Sequence, residues 1–148
     1  ERKRAVKAIR NAWPKLIVRE LSQVVRFLDP ADLGPDGKPK AVIDLMQPWG
    51  KFQETILKRH VLVDEETQHR IPTLEAALVA KYAAMVSPHR DRDKREQDAV
   101  DFRRMVRANH DRIRRDELRR LADEVWDGAG AEIEQFLQTA LSQEAFPI

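Results

Sequence analysis

The stretch Ile71–Met105, IPTLEAALVAKYAAMVSPHRDRDKREQDAVDFRRM, decides the fold. It reads as two helices joined by a basic loop. The first spans about Thr73 to Val86. Thr73 is placed to cap it, and Leu74, Leu78 and Met85 recur on one face at helical spacing. Ala76, Ala77, Ala80, Ala83 and Ala84 leave almost no polar side, which predicts a helix buried all round. Lys81 breaks that pattern. It lies about 20° from the Leu74 direction, inside the Leu74/Leu78/Met85 face. A lysine there must reach a polar cleft or meet an acid, because an unpaired buried charge is too costly.

The second helix, over Lys94–Asn109, carries the complementary feature. Ala99, Phe102, Met105 and Val106 form its apolar face. Asp98 falls between Phe102 and Met105 on the helical wheel, with Lys94 one turn before it. A short connection makes neighbouring helices antiparallel, so Lys81 and Asp98 are expected to point into the same space. Two readings stand side by side. The pair could be a buried ion pair that fixes helix register, or Lys81 and the basic loop could face an anionic ligand. Arg90, Arg92, Lys94 and Arg95 lie in or next to that loop, beside a helix N-terminus, a setting that suits phosphate oxygens. Asp91 and Asp93 could equally neutralise them as a surface network.

Working outward, Arg2–Trp13 reads as a helix with Ala5, Ala8, Ile9, Ala12 and Trp13 on one stripe, ended by Pro14. A short extended piece follows at Leu16–Arg19. Ser22–Leu28 and Lys40–Met46 read as strands around a turn-rich loop, close enough for an antiparallel hairpin. Pro48–Lys58 reads as a short helix starting near Trp49, with Phe52, Ile56 and Leu57 inward. His60–Val63 and His69–Ile71 read as brief strands around a DEETQ turn. Arg114–Trp126 and Ala131–Leu141 read as the last two helices, separated by DGAG. The expected fold class is α+β: a small antiparallel β-meander followed by a C-terminal helical bundle. The expected division is 1–72 and 73–148.

Asp44 shares a strand face with Val42 and Met46. It could face water at an edge, pair with Arg26 across the hairpin, or serve as a metal-binding carboxylate. The four histidines show no metal-ligand spacing, and none of the familiar nucleophile, phosphate-loop, dinucleotide or zinc-protease motifs occurs. The 148 residues carry 27 Lys and Arg against 25 Asp and Glu, so net charge alone does not argue for a nucleic-acid partner. The cluster Arg112–Arg120 alternates with acids and suits a solvated helix face better than a phosphate track. There is no cysteine, hence no disulfide framework or thiolate chemistry; the cytoplasm is the default location. No stretch is long and apolar enough to span a membrane.

The order VIDLM, then IPTLEAALVAKYAAM, then RDRDKREQDAVDF resembles the later half of nucleotidyltransferase-fold proteins, over about Val24–Val106. The nearest groups are the AbiEii-like toxins and the minimal bacterial nucleotidyltransferases. The residues carrying the likeness are Asp44, Lys81 with Ala84, Arg90/Arg92/Lys94, and Asp98 with Asp101 and Phe102. The resemblance implies a nucleotide triphosphate bound with Mg²⁺, with Asp44 as a catalytic, metal-holding acid. Lys81, Arg90, Arg92, Lys94 and Arg26 would then approach the phosphates. The family's early pair of metal-holding acids, DxD after a GS or GG turn, does not occur before Asp44. One carboxylate of three cannot hold two metal ions, so the expectation is a non-catalytic fragment or degenerate relative. The opening on Glu1, in a helical pattern without a cap, leads us to expect residues upstream. The competing expectation is a protein-interaction module, such as one half of a toxin–antitoxin pair, with an exposed apolar patch around Leu118, Trp126 and Phe136.

Overall fold

Proline and strand alternation shape the first third of the chain. A computed structural model describes residues 2–48 and 50–148. Helix α1 (Arg2–Ala12) runs up to Pro14, and the Trp13 amide still reaches the Ile9 carbonyl at 2.8 Å. Strands β1 (Ile17–Glu20), β2 (Val24–Leu33) and β3 (Pro39–Met46) then form an antiparallel sheet in the order β1-β2-β3. The register aligns Arg19, Arg26 and Asp44 across the three strands. Val25 and Phe27 are fully buried, opposite Leu45 and Ile43. Strand β2 runs five residues past the expected end at Leu28, through Asp29, Pro30, Ala31 and Asp32 to Leu33. The register shift between Asp29 and Leu33 accommodates Pro30, which has no amide to give a regular ladder.

The rest of the described chain builds a separate compact unit. Helix α2 (Lys51–Arg59) buries Phe52 and half-buries Ile56. Leu57, expected inward, is 58% exposed, since it stands one residue off the stripe of Phe52 and Ile56. Trp49, the expected helix start, lies outside the described residues, as does Glu1. Strands β4 (Val61–Val63) and β5 (Arg70–Pro72) form a two-stranded hairpin, whose turn is held by the Asp64 carboxylate accepting from the Thr67 amide and hydroxyl, each at 2.7 Å. Helices α3 (Leu74–Val86), α4 (Arg92–Asn109), α5 (Arg115–Ala122) and α6 (Ala129–Leu141) complete the unit. The Thr73 hydroxyl accepts from the Ala76 amide and caps α3.

One core fills this unit. Leu78, Val79, Tyr82 and Met85 of α3 meet Phe102 and Val106 of α4, with Leu118, Leu121, Ile133, Phe136 and Leu137 from the last two helices. Helix α3 is not buried all round: Ala80 is exposed, and Leu74, Ala77 and Ala84 are half-buried. Its deep stripe is Glu75, Leu78, Val79 and Tyr82, which puts Lys81 on the shoulder of the core rather than in its centre. Helix α5 stops at Ala122, four residues before the expected Trp126. The left-handed Gly128 (φ +87°) then turns the chain into α6, two residues earlier than expected.

The architecture is α+β, with a three-stranded antiparallel sheet preceding the C-terminal helices. The compact units divide at 49/50 where the sequence suggested 72/73, because Phe52 and Ile56 of α2 pack with the helical core. Among the described residues no helix is long and apolar enough to cross a membrane.

Candidate functional site

Four charged side chains collect where α3 passes the start of α4. The Lys81 Nζ donates to Asp98 Oδ1 at 2.9 Å and to Asp101 Oδ2 at 2.8 Å. On its other side Asp98 accepts from Arg90 Nε at 2.6 Å. The Asp98 side chain is 5% exposed, while Lys81, Asp101 and Arg90 are 35%, 32% and 41% exposed. The buried acid thus sits at the bottom, and its partners reach up to solvent. The hydrogen bond it donates to Asp101, with help from the one to Asp98, raises the Lys81 ammonium above its ordinary value against the opposing effect of burial. The same bond holds Asp101 below the usual carboxylate range. Two cations and two anions leave this cluster neutral overall. The expected meeting of Lys81 and Asp98 is present, as an ion pair rooted in a buried acid.

Two more of the loop cations have acid partners, while Arg95 takes part in no ion pair among the described residues and its buried Nε has no hydrogen-bond partner. Arg92 Nε lies 2.9 Å from Glu96 and Lys94 Nζ 3.2 Å from Asp91, both pairs exposed. They form the surface network rather than an open anion cradle. Of the Arg112–Arg120 cluster, Arg114 is held by Glu75, Arg115 by Glu134, and Arg120 by Glu117 and Glu124. Arg112 and Arg119 take part in no ion pair among the described residues, so that stripe is neutralised in part.

Arg26 and Asp44 lie in the sheet of the first unit, and they take each other. Arg26 Nε and Nη2 donate to the two Asp44 oxygens at 2.8 and 2.9 Å, a bidentate cross-strand pair. Those hydrogen bonds hold the Asp44 carboxyl below its ordinary range. A magnesium ion does not fit this donor set: both carboxylate oxygens are committed to one guanidinium. Among the described residues no three His, Asp or Glu side chains gather as a metal-holding group.

Three further polar sites escaped the reading of the sequence. Glu75, 2% exposed, accepts from the Arg114 amide and side chain and so ties α3 to the start of α5. Its signal was present: it precedes Leu78, Val79 and Tyr82 on the same helical stripe. The Tyr82 hydroxyl, at the end of a buried ring, donates to half-buried Glu132 at 2.6 Å. Buried His60 lies between Glu117 and Arg120, 3.3 Å from each. The three residues of the expected apolar patch do not share a surface: Leu118 and Phe136 are buried in the core, and only Trp126 is exposed, at 37%, while it packs on Tyr82 with ring centroids 5.2 Å apart.

Comparison of the chain with protein-family models, curated proteins and solved structures finds no match.

Proposed function

We propose that this chain is a non-enzymatic binding module, its charged clusters serving to hold helices and strands in register. The observation that carries this reading is the pairing of five of the six sequence-nominated cations, all but Arg95. Arg26, Lys81, Arg90, Arg92 and Lys94 each rest on an acid of the same chain. At those five positions a phosphate would have to displace a carboxylate before meeting an uncompensated positive charge. The resemblance to nucleotidyltransferase-fold proteins enters the proposal as a degenerate relative, one that keeps the ion pair of the helical half without metal chemistry. The absence of cysteine suits a reducing, cytoplasmic setting.

Titration calorimetry with ATP and Mg²⁺ tests the proposal. We expect no saturable heat. A saturable heat that disappears in Lys81→Ala would overturn it and restore the nucleotide reading.

A further inference from the structure

The hairpin β4–β5 carries an interface of its own. Residues 58–66 read KRHVLVDEE: a basic end, three apolar strand residues, and an acidic end. The Thr73 amide donates to the His60 carbonyl and the Asp64 amide to the His69 carbonyl. Counting in twos from these, Leu62 also faces β5, where it is paired with Ile71. The amides and carbonyls of Val61 and Val63 therefore point away from β5, along an edge that no strand covers among the described residues. The outer edge of β5 is different. Pro72 stands on it and has no amide to offer, so that edge is blunted. A lone two-stranded ribbon is marginal in water, yet this one shows Leu62 at 54%, Val63 at 52% and Ile71 at 46% exposure.

We infer that β4 pairs with β4 of a second copy of this chain, antiparallel, with Leu62 on the two-fold axis. The inference rests on the binding-module reading and names its partner. That register sets Val61 against Val63 of the other copy, and Val63 against its Val61, so the outward-pointing groups satisfy one another. The result is a four-stranded sheet, β5-β4-β4-β5, with both Leu62 and both Ile71 side chains on one face. Charge selects the same orientation. The two-fold brings the Lys58–Arg59 end of each copy to the Asp64–Glu66 end of the other. Among the described residues Arg59, Glu65 and Glu66 take part in no ion pair, so they are available for it. Pro72 then closes both ends of the new sheet, so assembly stops at a dimer instead of growing into a fibre.

Sedimentation of the full chain over a wide concentration range tests this. We expect a monomer–dimer equilibrium. Val63→Pro removes an amide that β5 does not use and should give a monomer with unchanged helical circular dichroism. Arg59→Glu and Glu65→Arg each set like charges across the axis twice and should weaken dimerisation on the order of tenfold. Mixing those two variants should restore it, because only the mixed dimer pairs opposite charges at both ends. A chain that stays monomeric at every concentration overturns the inference and leaves the β4 edge to a strand of a different protein. A dimer that none of the three variants weakens overturns it too. A monomer that gives no heat with Mg²⁺ and ATP sinks the self-pairing alone; such heat sinks the module reading whatever the assembly state.

Discussion

A single buried carboxylate, Asp98, explains why two cations stand on the shoulder of the helical core. Removing Lys81 leaves Asp98 still bonded to Arg90, and removing Arg90 leaves it bonded to Lys81. Each loss alone should therefore be modest. Lys81→Met and Arg90→Met are each expected to cost about 1 kcal/mol, the scale of a partly exposed charged contact. The double variant strands a 5% exposed acid and should cost about 3–5 kcal/mol. Urea unfolding of the four proteins checks this; strictly additive losses would reject the shared-acid arrangement. Lys81 and Asp98 were legible in the sequence because each is a charge set into an apolar helical pattern. Arg90 lies on a loop, where no periodicity says which way a side chain turns. Glu75 was as legible as Lys81, but alanines on every side of α3 blur which stripe faces the core.

Helices with strong periodicity are where sequence and structure agree most closely. Helix α3 starts right after the capping Thr73 and ends at the expected Val86, and α4 begins two residues before the expected Lys94. The ends of β2 and α5 were harder to read. Asp29-Pro30 looks like a loop until a register shift absorbs it, and such a shift depends on the partner strand. Past Ala122, α5 gives way to tight turns, with the Glu124 and Val125 amides donating to the Leu121 and Ala122 carbonyls. The Asp123 carboxylate accepts the Gly130 amide at 2.7 Å across the bend. A side chain at position 130 would sit 2.8 Å from the Arg119 carbonyl and 2.6 Å from the Asp123 carboxylate. Gly130→Ala should therefore cost about 1–3 kcal/mol by forcing α5 and α6 apart, read as a lowered melting temperature. An unchanged melting temperature would show that the bend yields freely.

Acid stability belongs to the whole molecule, because several carboxylates act in the same direction. Burial pushes Glu75 up, but the hydrogen bonds from Arg114 outweigh it and leave the group below its ordinary 4.5. Asp44, Asp101 and Glu117 are also held low, by Arg26, Lys81 and Arg120 respectively. Below the ordinary carboxylate value the unfolded chain takes up protons before the folded one does. The stabilisation from these groups is thus complete above about pH 4.5 and falls away as the pH drops through the depressed folded values. Urea midpoints measured from neutral to acid pH should decline in that window, and less steeply in Glu75→Gln; a flat profile would contradict the assignment. A different consequence follows from Tyr82, the sole tyrosine. Burial first, and then the bond to Glu132, lift its phenol far above the ordinary 10.0. In alkali the ring stays colourless to phenolate absorbance while the bundle is intact and darkens when it opens, so the molecule carries its own optical gauge of core integrity, with no label attached.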